Sequence, residues 1–289
     1  MTQLPPFDVN VLRQSFPALN QTVSGSTPIF FDGPGGTQVP QPVLDAMVQY
    51  LGYSNSNIAD NPFFAVQETL GIVKKAREYA AALVNAKSPD SIVFGANMSS
   101  ITAHMSRSIA RDWKAGDEII ATDLDHFSNV SFWKQIAEDR GVICHTVRVI
   151  PETCSLDYDH FESLICEKTK LVAFTLASNV SGSVTQPQFI IDAAKDVGAL
   201  TYLDAVHYTP HFLPDVQKLG CDFLACSAYK FFGPHLGVLY GKEEHLNTLR
   251  PYKVEPAVDT APDRWETGTK SFEGIAGFIA TLDYLASHH

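Results

Sequence analysis

Four apolar runs of the sequence, at 118–121, 171–176, 200–203 and 223–226, each end in polar side chains. The residues that follow these runs carry carboxylate, imidazole, amide, hydroxyl and amine groups: Asp123, His126, Asn179, Asp204, His207, Ser227, Tyr229 and Lys230. In an open α/β sheet, ligands bind at the carboxyl ends of the strands. If these runs are parallel strands, their ends contribute side chains to one functional site.

Lys230 is the candidate nucleophile of this site, because it lies between an apolar run and the sequence Phe-Phe-Gly-Pro at 231–234. Apolar surroundings favour the neutral amine, which can form a Schiff base. The alternative is a surface lysine whose stem packs on apolar neighbours. Asp204 favours the first reading, because an acid at the end of a buried strand needs a cationic partner. The pyridinium nitrogen of pyridoxal phosphate (PLP) is such a partner for an aspartate.

A phosphate group could bind at residues 95–100, whose sequence Gly-Ala-Asn-Met-Ser-Ser joins a predicted strand to a predicted helix. The N–H groups at the start of a helix, together with short hydroxyl side chains, favour phosphate. The segment is therefore a candidate phosphate site. The alternative is an ordinary helix N-cap.

Three other motifs are rejected. Residues 227–230 match S-x-x-K, but the chain contains neither S-D-N nor K-T-G. The glycine-rich loop 33–36 lacks the G-x-G-x-x-G spacing of a dinucleotide site. His207 and His211 are four residues apart, but Pro210 interrupts the helix that a metal-binding pair needs. No metal site is predicted.

The elements that position these side chains follow from hydrophobic patterning. Strands are predicted at 92–94, 118–121, 142–147, 171–176, 200–203 and 223–226, and helices at 40–51, 65–85, 99–112, 129–139, 158–167 and 187–197. Strands that alternate with helices of this length predict βαβ units. The predicted fold class is α/β, with a mainly parallel sheet and helices on both faces.

Composition excludes several classes of protein. The 289 residues include 21 Lys+Arg and 32 Asp+Glu, for a net charge of −11, which argues against nucleic-acid binding. The five cysteines are scattered without a C-x-x-C pair, as expected of reduced thiols. The N-terminus lacks the pattern of a signal peptide, and no apolar run is long enough to span a membrane. We predict a soluble, cytoplasmic protein.

Three sequences, DGPGGTQVP at 32–40, DAVHY at 204–208 and CSAYKFFGPHLGVL at 226–239, carry a resemblance to a known family. With these motifs the chain resembles PLP-dependent class V aminotransferase-fold enzymes, specifically the cysteine desulfurase-like branch. The resemblance extends over nearly the whole chain. It implies the large domain of the fold type I PLP-dependent transferases and PLP as cofactor.

The resemblance also implies roles for individual residues. Lys230 would form the Schiff base with PLP and move the α-proton, while Asp204 would keep the pyridine nitrogen protonated. His126 would stack on the ring and serve as acid or base. Asn179 would contact the 3′-oxygen and the substrate carboxylate. His207 would bind the cofactor in place of a Gln that hydrogen-bonds the same 3′-oxygen in many desulfurases. That last departure leaves the role of His207 open.

The remaining implied contacts concern phosphate and substrate. Ser227 and Tyr229 would bind the phosphate, together with the backbone of 97–99, although relatives often have His in place of Tyr229. Thr269 would reach the phosphate from the partner subunit of a homodimer. Gly35 and Gly36 would line the entrance for a small amino-acid substrate, because their missing side chains allow close backbone approach.

The predicted domains are an N-terminal arm at 1–28, a PLP-binding large domain at 29–272 and, at 273–289, the start of a helix connecting to a C-terminal domain. Relatives continue into that domain, so we expect the C-terminal small domain to be largely absent here. In desulfurases it supplies a carboxylate-binding arginine and the cysteine that takes up sulfur. No cysteine follows Thr269.

The function predicted from these observations is cysteine desulfurase-like cleavage of a C–S bond, with a sulfur acceptor protein as a further partner. Two alternatives stay open. One is a cofactor-binding protein without turnover, and the other is an aminotransferase or epimerase on the same fold.

Overall fold

A computed structural model describes residues 8–58 and 61–288. The strands are β1 (Ile92–Gly95), β2 (Glu118–Thr122), β3 (Ile143–Val147), β4 (Val149–Ile150), β5 (Ser155–Leu156), β6 (Thr169–Thr175), β7 (Leu200–Asp204), β8 (Phe223–Ser227) and β9 (Gly237–Gly241). The helices are α1 (Val9–Gln14), α2 (Gln41–Tyr53), α3 (Phe64–Leu83), α4 (Met98–Ile109), α5 (Ser131–Arg140), α6 (Tyr158–Leu164), α7 (Pro187–Asp196), α8 (Val216–Leu219), α9 (Glu243–Thr248) and α10 (Phe272–Ala286).

Within the described residues, seven strands form one sheet in the order β1-β9-β8-β7-β6-β2-β3. The pairs β2–β3, β2–β6, β6–β7 and β7–β8 are parallel, whereas β1 and β9 are antiparallel. The register pairs Thr175 with Asp204 and Asp204 with Ala225. The carboxyl ends of β6, β7 and β8 therefore lie at one edge, and the predicted mainly parallel α/β fold is confirmed.

The structure adds elements that the sequence patterns did not predict. These are β9, the short hairpin of β4 and β5, and the helices α1, α8 and α9. β9 pairs antiparallel with β1 from Ile92–Tyr240 to Gly95–Gly237. The predicted helices and strands otherwise end within a few residues of the observed bounds.

The chain divides into two compact units. Among the described residues, the first unit comprises those of 8–79, 227–236 and 269–288, and the second comprises 80–226 and 237–268. The predicted division at 28 and 272 stays a prediction, and residues 1–7 of the predicted arm, together with His289, lie outside the described residues. All five cysteines are unpaired thiols. No helix in the described part of the chain is both long enough and apolar enough to cross a membrane.

The first unit is built on packing between α2 and α10. Phe16 packs edge-on against Phe232 and Tyr284, with ring centroids 5.1 and 6.0 Å apart. Tyr50 of α2 contacts Phe272 of α10 at 6.3 Å. These aromatic contacts anchor the residues that follow Lys230 to the N-terminal part of the chain.

The second unit holds the seven-stranded sheet and its hydrophobic core. Trp133, Tyr202 and Phe223 are fully buried at its centre, and the rings of Trp133 and Tyr202 pack edge-to-face at 5.3 Å. The hydroxyl of Tyr202 is hydrogen-bonded to Thr102 Oγ1 of α4 at 3.1 Å. This bond satisfies a buried phenol and fixes α4 against the sheet.

Candidate active site

In the second unit, the turn between β1 and α4 carries the predicted phosphate residues. Asn97 is the N-cap of α4: its Oδ1 accepts a hydrogen bond from Ser100 N at 2.9 Å, and Ser100 Oγ accepts one from Asn97 N at 3.3 Å. This capping box fixes the first turn of α4, where Met98 is buried and Ser99 is half-buried. The amides of such a turn form an anion site.

Gly237 keeps this turn in place, because a Cβ there would lie 2.6 Å from the backbone carbon of Asn97. We expect Gly237→Ala to displace the start of α4, to cost about 1–3 kcal/mol of stability by overpacking, and to weaken PLP binding. Gly71→Ala is the matched control, since Gly71 lies within α3 with open space around its Cβ. It should stabilise the helix by about 0.5–1 kcal/mol. Urea unfolding measures the stability of each variant, and PLP titration measures its affinity for PLP. Equal stability and equal PLP affinity of the two variants would contradict the prediction.

His126 lies in the turn after β2 and is held by Ser128. Its Nδ1 accepts a hydrogen bond from Ser128 N at 3.1 Å and lies 2.7 Å from Ser128 Oγ. Since Nδ1 accepts, the ring proton of the neutral imidazole is on Nε2. Ser128 Oγ also lies 3.4 Å from Met98 Sδ. The structure thus brings the His126 turn next to the start of α4.

Asp204, the last residue of β7, is 4% exposed. Its Oδ1 accepts a hydrogen bond from Val206 N at 2.8 Å. Cys226 is buried nearby, and burial together with the charge of Asp204 raises the pKa of its thiol to about 12, although a hydrogen bond with Thr209 opposes the shift. Cys226 is therefore a neutral thiol and no candidate nucleophile.

Asn179 and His207 occupy the turns after β6 and β7. Asn179 is half-buried, in a turn held by Ser178 Oγ, which accepts from Val180 N at 3.3 Å. The rings of His207 and His211 meet edge-to-face at 5.2 Å. Across the described residues, no group of three or more His, Cys, Asp or Glu side chains is arranged to hold a metal ion.

In the first unit, Lys230 is 8% exposed and lies in a short helical turn directly after β8. Its Nζ donates a hydrogen bond to the carbonyl oxygen of Pro34. The same atom lies 4.7 Å from the centre of the Tyr229 ring. Lys230 is thus an enclosed amine rather than a surface lysine.

The glycine-rich loop 33–36 packs against the residues around Lys230. Thr37 N and Thr37 Oγ1 both donate to Tyr229 O, at 2.9 and 3.0 Å, and Phe232 N donates to Thr37 Oγ1 at 2.8 Å. Gly36 has a φ of +144°, and a Cβ there would be 3.1 Å from the Tyr229 ring. Only glycine tolerates both this positive φ and the short distance to the Tyr229 ring. Gly36 therefore allows the loop to approach Tyr229 this closely.

The predicted site residues fall into one group in each unit. The group in the second unit consists of Asn97, Met98, Ser99, His126, Asn179, Asp204 and His207, and the group in the first unit of Gly35, Gly36, Ser227, Tyr229, Lys230 and Thr269. In the second unit, Ser128, which holds His126, contacts Met98. In the first unit, Thr37 is hydrogen-bonded to Tyr229 and Pro34 to Lys230. Ser227 is buried, and Thr269 is exposed.

Two groups that contact the predicted site residues were not predicted from the sequence. One is the carbonyl of Pro34, which lies 196 positions from Lys230 and has no signature of its own. The other is a hydrogen-bonded network around Asp125, in which Asn129 Nδ2 donates to Asp125 Oδ1 at 2.7 Å. The available signal for the network was the position of Asp125 directly before His126, with Asn129 four residues on.

Residues 29–289 match the aminotransferase class-V family, and the chain belongs to that family. It is 32% identical to a cysteine desulfurase of Synechococcus elongatus, over 96% of this chain and 46% of the relative. It is also 32% identical to a probable cysteine desulfurase of Synechocystis sp., over 98% of this chain and 70% of the relative. The chain thus spans about half of the first of these proteins and 70% of the second.

Solved structures show the same fold. The cysteine desulfurase CsdA of Escherichia coli superposes with a TM-score of 0.84 at 27% identity, over 98% of this chain and 72% of that one. The cysteine desulfurase of Thermococcus onnurineus gives a TM-score of 0.89 at 26% identity, with the same coverage. These matches confirm the fold type I architecture that the sequence predicted.

Proposed function

We propose that this protein is a PLP-dependent enzyme that cleaves the C–S bond of cysteine or a similar small amino acid. The observation that carries the proposal is the enclosed amine of Lys230, held by Pro34 O beside the Tyr229 ring. The relatives support the choice of reaction, since those compared above are named as cysteine desulfurases or probable ones. Class V aminotransferases and cysteine desulfurases are families of PLP-dependent enzymes.

The residues of the second unit fit PLP by the chemistry of their donors and acceptors. Asp204 is a buried carboxylate that suits a protonated ring nitrogen. The capped N-terminus of α4 suits a phosphate. When bound, PLP supplies an electron sink for the electrons of the bond that breaks at Cα.

We assign the following tasks to the protein's own residues. Lys230 binds the cofactor covalently and moves the proton at Cα of the substrate, while Asp204 holds the proton on the ring nitrogen. His126 stacks on the ring and exchanges a proton with the substrate. The other predicted residues hold the phosphate, the 3′-oxygen or the substrate: Asn97, Met98, Ser99, Ser227, Tyr229, His207, Asn179, Gly35, Gly36 and Thr269.

The proposal extends to assembly and location. The functional unit is a homodimer in which Thr269 contacts the phosphate bound by the partner. The sulfur passes to an acceptor protein that presents a thiol. We place the enzyme in the cytoplasm, where five unpaired cysteines remain reduced.

Product analysis tests the reaction. The chain is incubated with PLP, L-cysteine and a thiol acceptor, and alanine, pyruvate and sulfide are measured. Transfer of sulfur from cysteine to the thiol gives alanine and a persulfide, whereas elimination gives pyruvate, ammonia and sulfide. We expect one of these two results. A keto acid formed from several amino acids without release of sulfur indicates an aminotransferase, and PLP binding without any product indicates a cofactor-binding protein; either result contradicts the proposal.

A further inference from the structure

The side chains of Tyr229 and His235 form an aromatic pair in the first unit, beside the amine of Lys230. Their rings are stacked, with centroids 5.2 Å apart and planes at 26°. The backbone explains the pairing. Ala228 N donates to Leu236 O at 2.9 Å, so the residue after Ala228 faces the residue before Leu236, as opposite residues do in paired strands. The local turn thus presents one ring to the other.

The Tyr229 ring also contacts the amine of Lys230. Nζ of Lys230 lies over the ring, 4.7 Å from its centre, and donates a hydrogen bond to Pro34 O. An aromatic face attracts a cation within about 6 Å, and a carbonyl oxygen is an acceptor only. Both neighbours therefore suit the ammonium form of Lys230, which has N–H donors and no acceptor.

The loop before α2 fixes the backbone of Tyr229 and approaches its ring. Tyr229 O accepts from Thr37 N at 2.9 Å and from Thr37 Oγ1 at 3.0 Å. Gly36 lies so near that a Cβ there would be 3.1 Å from the Tyr229 ring. His235, in contrast, is exposed. It is therefore the ring neighbour that can be replaced without disturbing the core.

We propose that Tyr229 and His235 are a positioning pair for Lys230. The His235 ring holds the Tyr229 ring in place, and the Tyr229 ring holds the Lys230 ammonium at Pro34 O. An amine must lose its proton before it can act as a nucleophile, so the pair keeps Lys230 in position and unreactive in the chain without cofactor. This role belongs to the ring of Tyr229, whereas the phosphate contact proposed above belongs to its hydroxyl. The role toward PLP rests on the proposed function, whereas the holding of the amine does not.

Competitive labelling with acetic anhydride tests the holding of the amine in the full chain without added cofactor. Only the neutral amine reacts, and mass spectrometry gives the rate at Lys230 relative to the exposed Lys87 in the same sample. At pH 7, Tyr229→Leu should raise this relative rate about three- to tenfold, because it removes the attraction between ring and ammonium. Tyr229→Phe keeps the ring and should stay within about twofold of wild type.

His235 provides a second, matched comparison at an exposed position. His235→Ala removes the stacked ring and should raise the relative labelling rate of Lys230 by about two- to fivefold. His235→Phe keeps a ring for the stack and should leave the rate close to that of wild type. Circular dichroism verifies that each variant is folded, and the His235 comparison decides the proposal even if Tyr229→Leu does not fold. Equal rates in His235→Ala and His235→Phe, or in Tyr229→Leu and Tyr229→Phe, would overturn the proposal.

PLP titration of the wild-type chain keeps this proposal apart from the proposed function. Failure of wild type to bind PLP would refute the proposed function and leave the labelling result standing. Binding of PLP by wild type, together with labelling rates that do not depend on either ring, would refute the positioning pair alone.

Discussion

Replacing Lys230 with arginine is expected to abolish covalent binding of PLP and to lower turnover of cysteine by at least about 10³-fold. Arginine keeps a cationic donor near Pro34 O, but its guanidinium does not deprotonate and cannot form a Schiff base. Lys230→Ala should lose the covalent bond as well. The two variants thus separate the amine chemistry of Lys230 from its positive charge.

The measurement is the visible absorption band of lysine-bound PLP, followed during titration, together with the rate of cysteine consumption. Lys87→Ala serves as the control, because Lys87 is an exposed lysine in the loop after α3. Circular dichroism verifies that each variant is folded. If Lys230→Arg develops the same band as wild type, another lysine binds the cofactor and our assignment is wrong.

The strands with helices between them were predictable, whereas β9 was not. The runs at 118–121, 171–176, 200–203 and 223–226 are mostly apolar because these strands are largely buried on both sides. β9 has the sequence GVLYG, with a glycine at each end, and glycine weakens a strand pattern. It also pairs antiparallel with β1, so no crossover helix marks its place in the sequence.

The chemistry of Lys230 and Asp204 was predictable because both follow apolar runs at positions where α/β sheets bind ligands. The contacts that enclose these two side chains could not be predicted from the sequence. The loop at 33–37 meets Tyr229 through hydrogen bonds that join residues about 190 positions apart, and no local pattern encodes such a pairing. The raised pKa of the Asp125 carboxyl depends on burial and on the charge of Asp204. Both arise only when β2 and β7 fold into one sheet.

Asp222 is expected to contribute more to stability than any other charged side chain of the second unit. It precedes β8, and its Oδ1 accepts from Lys242 Nζ at 2.6 Å and from His245 Nε2 at 3.0 Å. Its Oδ2 accepts from Thr201 N at 2.8 Å and from Thr201 Oγ1 at 3.0 Å. One carboxylate thus joins the start of β7 to the end of β9 and to α9. Burial alone would raise the pKa of Asp222, but the bonds from His245 and Lys242 and the charge of Lys242 lower it to about 2.

Asp222→Ala should therefore lower the free energy of unfolding by about 3–5 kcal/mol at pH 7, because it leaves Lys242 and Thr201 without their buried acceptor.

The same carboxylate predicts that the stability of the protein depends on pH. A carboxyl whose pKa is depressed in the folded state stabilises the protein above its unfolded value near 4, and that contribution is lost as the pH falls toward 2. Between pH 4 and 2, the free energy of unfolding of wild type should fall by roughly 2 kcal/mol because Asp222 becomes protonated. Asp222→Asn should not show this loss.

Urea unfolding at pH 7, 5, 4 and 3 measures both effects, with Asp139→Asn as an exposed control on α5. The difference in unfolding free energy between wild type and Asp222→Asn should shrink as the pH falls below 4, while the control follows wild type throughout. A difference that stays constant from pH 7 to 3 would show that Asp222 stabilises the sheet by its shape and hydrogen bonds rather than by its charge.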